Sequence, residues 1–135
     1  STFSNSTSKS YDLALYQLAK ENSELEKVEN EMNSLKKLLI DSSDFREMIS
    51  NPTIKKEEKK NIISTITQSN NFSQTGKKFL GFLTTKNRLF FLNQIIESFL
   101  NFLSKTKGEL KAKLLSSKEL SKTEIGKMIS SAITR

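Results

Sequence analysis

Apolar residues recur along this chain in steps of three and four, divided by short polar breaks, which is the pattern of amphipathic helices in series. Tyr11, Ala14, Leu15, Leu18 and Ala19 predict a first helix from about Ser10 to Glu21. Leu13 and Tyr16 widen its apolar arc beyond one stripe, and the preceding STFSNSTSKS reads as a frayed tail. Ser23 and Glu26 have the spacing of a capping box, which predicts a second helix through Leu25, Val28, Met32, Leu35 and Leu39. That seam lasts barely over two heptads, so it predicts an antiparallel bundle contact rather than an extended coiled coil. The cap-type run Asp41-Ser42-Ser43-Asp44 precedes a short third helix marked by Phe45, Met48 and Ile49 and ended by Asn51-Pro52.

Pro52 is expected to open the fourth helix, where its missing N–H costs nothing. Ile54, Ile62, Ile63 and Ile66 mark that helix, with the mixed-sign run KKEEKK as its solvated first turns. The loop SNNFSQTG leads to a fifth helix whose Phe79, Leu80, Phe82 and Leu83 cover an arc of roughly 160°, wider than the roughly 100° a core-facing helix needs. After Asn87, a sixth helix carries Leu89, Phe91, Leu92, Ile95, Ile96, Phe99, Leu100, Phe102 and Leu103 over about half its circumference, leaving Phe90 outside. It is expected to be the bundle's central post. Beyond Gly108-Glu109 the texture changes: Leu110 to Leu114 alternates with period two, predicting a strand. Ser121 to Glu124 is a capping box before a helix through Ile125, Met128, Ile129, Ala132 and Ile133. The fold class is therefore all-α, a six-helix bundle over residues 1–107. Residues 108–135 are expected to be the start, strand plus helix, of an incomplete C-terminal α/β domain.

Composition narrows the chemistry. With neither Cys nor His, the chain has no disulfide, zinc finger, cysteine nucleophile or imidazole base. The carboxylates fall on expected solvent faces near lysines, as surface ion pairs do. The closest pairs, Asp41 with Asp44 and Glu57 with Glu58, sit at helix starts, where the macrodipole favours acids. No phosphate-cradling glycine motif is present. A binding protein, without catalytic residues, metal or cofactor, is the expectation. The net charge of +7 raises nucleic-acid binding as the alternative, with Phe72, Phe79, Phe82, Phe90 and Phe91 near Lys77, Lys78, Lys86 and Arg88. Only three of the 22 basic residues are Arg, however, and Phe at helical spacing more often packs than stacks. No run of about 18 apolar residues is present to span a bilayer.

Tyr11-Asp-Leu-Ala-Leu-Tyr-Gln-Leu-Ala19, Phe45 through Asn51-Pro52-Thr-Ile54 with Lys59, Phe79-Leu-x-Phe-Leu83, Lys86-Asn-Arg-Leu89, Ile95-Ile96 and Phe99 follow one another in a familiar order. With Gly108-x-x-x-Ala112-x-Leu114-x-Ser116 and Leu120-Ser121, the chain resembles the δ subunit of F-type ATP synthase, the family of the mitochondrial oligomycin sensitivity-conferring protein. The resemblance implies a six-helix N-terminal bundle in a non-catalytic peripheral-stalk subunit. That subunit links the α₃β₃ head to the b subunits and meets the membrane only through the complex. It implies the cytoplasmic face of the bacterial inner membrane, or an organellar equivalent. It also implies a groove between the first and fifth helices that takes the N-terminal helix of an α subunit. The candidate groove residues are Tyr11, Ala14, Leu15 and Leu18 on one wall and Phe79, Phe82 and Leu83 on the other, with b-subunit contacts in the C-terminal part.

Overall fold

The computed structural model describes residues 5–116, 129, 130, 132 and 133. In chain order the elements are α1 (Asn5–Glu21), α2 (Leu25–Asp41), α3 (Ser43–Ser50), α4 (Lys56–Ser69), α5 (Gln74–Thr85), a 3₁₀ turn (Leu89–Phe91) and α6 (Leu92–Ser116). No strand occurs among the described residues. Backbone packing divides the chain into two units, Ser1–Leu100 and Asn101–Arg135, and the division falls within α6. In the first unit Leu15, Ala19, Val28, Met32, Leu80, Leu83, Leu92, Ile95, Ile96 and Phe99 have no exposed surface. Each large member contributes about 1.5–3 kcal/mol by leaving water.

Several boundaries differ from expectation for identifiable reasons. α1 begins five residues early, at Asn5, because Ser, Thr and Lys carry no helix-breaking penalty like that of Pro or Gly. The Ser23–Glu26 capping box does not form. Ser23 instead has φ +56° and closes α1, with its own N–H on the Lys20 carbonyl and the Glu24 N–H on the Ala19 carbonyl. Asn71 and Asn87, both also at positive φ, end α4 and α5 with the same pair of bonds, Asn being the non-glycine residue that best tolerates this backbone. Pro52 lies in a turn ahead of α4, where Asn51 Oδ1 accepts from the Thr53 N–H and hydroxyl at 2.9 and 2.6 Å. Ser42 does cap α3, accepting from the Phe45 N–H at 3.1 Å. Leu110 to Leu114 are helical turns of α6, not a strand: five alternating residues without a partner strand cannot compete with continuation of a helix already nucleated. The Ser121–Glu124 capping box lies outside the described residues, as do Ile125 and Met128, while Ile129 and Ile133 are helical.

α5 approaches α1, α2, α4 and the 3₁₀ turn closely, and its start is held by side chains from earlier in the chain. Glu31 of α2, only 6% exposed, accepts from the Ser73 N–H and, at 2.8 Å, from the Ser73 hydroxyl. Ser73 Oγ in turn accepts from the Gly76 N–H at 2.9 Å. Glu24 Oε1 accepts from the Thr75 hydroxyl at 2.6 Å and its N–H at 3.4 Å, while Asn22 Nδ2 donates to Thr75 Oγ1 at 2.9 Å. The orphan N–H groups that every helix start exposes thus find oxygens of α2 and the α1–α2 connection. The two carboxylates also suit the positive end of the helix dipole.

Gly76 makes this clamp possible, because a Cβ there would overlap Glu31 Oε1 and lie 3.2 Å from Ser73 Oγ. Gly81, one turn on, has nothing within 4 Å of where its Cβ would stand. Gly76→Ala is expected to lose about 1–3 kcal/mol by displacing a buried, doubly bonded carboxylate. Gly81→Ala should gain about 0.5–1 kcal/mol from helix propensity alone. Urea midpoints of the two variants check the pair; a gain in both would show that Glu31 swings aside without loss.

Candidate functional site

α1 and α5 lie side by side in the first unit, and the rings of Tyr11 and Phe82 meet edge to face with centroids 6.1 Å apart. Around that pair the seven candidate residues separate by exposure. Phe82 is 45% exposed and Leu18 47%, Ala14 is exposed and Tyr11 half-buried. Leu15, Phe79 and Leu83 are buried at 0, 6 and 0%. On α1, Tyr11, Ala14 and Leu18 follow one another at i, i+3 and i+7 and so share a stripe. On α5, Phe82 faces the same strip, while Gly81, about 100° round the helix from it, has open space where its Cβ would stand. The result is an apolar strip of Tyr11, Ala14, Leu18 and Phe82, with an aromatic pair and one position, Ala14, at which little side chain stands between the helix backbone and solvent. Leu15, Phe79 and Leu83 pack behind it.

The expectation that the carboxylates lie on solvent faces fails at two positions. Glu31 is the clamp already described, and Asp12, next to Tyr11 on α1, is 2% exposed. Both carry a signal in the sequence: Asp12 shares a stripe with Leu15 and Ala19, and Glu31 shares one with Val28 and Leu35, all buried. The Ser98 hydroxyl of α6 donates to Asp12 Oδ2, while Oδ1 has no hydrogen-bond partner. Burial pushes the Asp12 carboxyl up from 3.8 to about 6, against the lowering effect of the Ser98 hydroxyl. At Glu24 the balance is reversed, the Thr75 hydroxyl holding the carboxylate below its ordinary range.

Nothing at the strip suggests group transfer. Asp41, Asp44, Glu57 and Glu58 are exposed, and no group of three or more potential metal ligands occurs among the described residues. Of the rings that raised base stacking, Phe72 and Phe79 are buried at 7 and 6% and have no face to offer a base. No helix among the described residues is long and apolar enough to cross a membrane.

A family model described as ATP synthase delta (OSCP) subunit matches residues 7–134. The chain belongs to the ATP synthase delta (OSCP) subunit family. Within that family, a Pelagibacter ubique protein named ATP synthase subunit delta is 39% identical over 123 residues, covering 91% of this chain and 66% of its own length. The Yarrowia lipolytica protein named ATP synthase subunit 5, mitochondrial, is 29% identical over 118 residues, covering 87% and 55% respectively. Among solved structures, a chain of the Toxoplasma gondii mitochondrial ATP synthase hexamer, determined by cryo-EM, superposes with a TM-score of 0.66. It is 27% identical, over 68% of this chain and 51% of that one. This delta-family chain thus spans about two-thirds of the bacterial relative's length and about half of the mitochondrial one's.

Asp12 gives a pH dependence whose sign is fixed by its raised pKa. The folded state holds a proton that the unfolded chain releases above about pH 4, so the stabilisation is complete below that pH and is lost as pH rises through about 6. Each tenfold difference in proton affinity between the folded and unfolded chain is worth roughly 1.4 kcal/mol. Asp12→Asn is therefore expected to be more stable than the parent at pH 7.5 by about 1–3 kcal/mol and level with it near pH 4. Urea titrations at the two pH values measure this, and an equal difference at both would remove the burial effect.

Proposed function

We propose that this chain is a non-catalytic peripheral-stalk subunit of an F-type ATP synthase, and that the strip between α1 and α5 receives the N-terminal helix of an α subunit. Family membership supports the assembly. One observation carries the choice of surface: the Tyr11–Phe82 pair adjoins the exposed Ala14 and Leu18 stripe of α1, leaving apolar surface and, at Ala14, approachable backbone unused by the chain's own packing. A visiting amphipathic helix is the partner whose geometry matches such a strip. Tyr11, Ala14, Leu18 and Phe82 make the contact in this reading, and Leu15, Phe79 and Leu83 hold the walls from behind.

The task so assigned is mechanical. A stator keeps the catalytic head still against rotor torque, which requires a slowly dissociating contact. Nanomolar affinity corresponds to about −12 kcal/mol, within reach of a few buried apolar anchors. Contacts to the b subunits belong to the C-terminal part, from about residue 108 onward. Location at the cytoplasmic face of a bacterial inner membrane, or the organellar equivalent, follows in this reading from membership of the complex.

Calorimetric titration with a synthetic peptide of the α-subunit N-terminus tests the reading. Ala14→Trp is expected to weaken binding by roughly 1–3 kcal/mol, since it fills the place where a helix must approach, with the far-ultraviolet circular dichroism unchanged. A folded variant with undiminished affinity would put the contact elsewhere.

A further inference from the structure

On another side of α5 lies a cavity of about 290 Å³, bounded by the end of α3, the connection through Pro52, the first turns of α4, and Thr84, Asn87, Leu89 and Phe90. Thr84 lines this cavity and Phe82 the α1/α5 strip. Two residues at 100° each put them roughly 200° apart, so the two sites face opposite ways. We propose that this cavity is a second docking site, and that it takes an acidic, aliphatic peptide segment of a partner protein.

Its apolar part is built on Ile49 and Leu89, both buried, and on Phe90, which is 59% exposed. The Phe90 ring is set edge to face against Phe91 at 5.4 Å between centroids, so it stands ready without needing to be ordered by a ligand. Phe90 is also the residue left outside the apolar arc of the sixth-helix pattern, and the 3₁₀ turn turns it into the cavity wall. The polar part is of one sign. Lys56 and Lys59 line the cavity and no carboxylate does. Lys59 Nζ donates to the Ile49 carbonyl at 3.4 Å, which places its charge over the cavity and leaves two of its three protons to donate. Lys56 forms no ion pair among the described residues.

These features select the occupant. A space just under the roughly 300 Å³ at which small-molecule sites begin suits one or two side chains better than a whole cofactor. A single exposed ring and no arginine argue against stacked bases or a planar phosphate fork. Ammonium point charges beside an aliphatic and aromatic wall match a carboxylate neighbouring a leucine-like side chain, and lysine repels the basic alternative.

The test uses the full chain, ¹⁵N-labelled, titrated with an N-acetylated, C-amidated tetrapeptide alternating leucine with glutamate. The same peptide with lysine for glutamate is the control. Saturable amide shifts are expected at Lys56, Asn87, Leu89 and Phe90 with the glutamate peptide only. Affinity should fall about tenfold in Lys56→Glu and about threefold or more in Phe90→Ser. It should also fall as salt is raised from about 50 to about 300 mM, because the pairing charges are partly exposed. Both variants change exposed side chains, and their spectra report whether the bundle is intact. Three results would overturn the proposal: no shift at saturating peptide, equal shifts with the lysine control, or shifts confined to the amides of Tyr11, Ala14 and Phe82. The α-subunit peptide titration reads the other side of α5, so either proposal can fail without the other.

Discussion

The buried Glu31 carboxylate at the start of α5 is the constraint on which the architecture of the first unit depends. A carboxylate taken out of water is costly unless donors surround it, and here the Ser73 N–H and hydroxyl do so at a helix end whose dipole has the matching sign. The arrangement leaves no room for a Cβ at Gly76. With Glu24 and Asn22 meeting on Thr75 beside it, the beginning of α5 is fixed to α2 and to the α1–α2 connection. α1 and α5 then lie side by side through bonds that neither helix makes with the other. The start of α5 is thus fixed by side-chain hydrogen bonds within the chain itself.

Much of this helix order was legible because each apolar stripe does local work: Val28, Met32, Leu35 and Leu39 on α2, and Phe45, Met48 and Ile49 on α3, are all buried as their periodicity predicts. What escaped was decided by long-range partners. Ser23 and Glu26 have capping-box spacing, but Glu24 is drawn to Thr75, 51 residues away, and Ser23 is left to reverse the chain. Asp12 and Glu31 sit at core positions of their own helices. A charge's general preference for water argues against such positions, but donors such as Ser98 and Ser73, brought by the fold, offset the desolvation. The period-two run at Leu110 was too short to outweigh a helix already under way.

The candidate site shows the same limit at finer scale. Arc width marks α1 and α5 as carrying more apolar surface than one stripe uses, yet it treats every residue of the arc alike. Leu15 and Leu83 lie where neighbouring helices cover them; Leu18 and Phe82, at the edge of the same arcs, do not. Which edge is covered depends on interhelical placement, which the periodicity of one helix does not encode. Gly81, in mid-helix with open space where its Cβ would stand, fills no packing need of the chain itself.

α5 therefore separates two kinds of surface. Toward α1 it offers Phe82, an apolar surface whose burial depends on area and shape and little on salt. Toward the α3–α4 connection it walls a cavity whose rim is Lys56 and Lys59, where charge sets partner choice and ionic strength weakens it. The net positive charge of the chain does not by itself imply a nucleic-acid partner, because the ring that projects beside those lysines, Phe90, stands in a cavity sized for side chains rather than along an open track. The two surfaces differ in physical origin, so raising ionic strength screens the lysine rim while leaving the apolar strip largely unaffected.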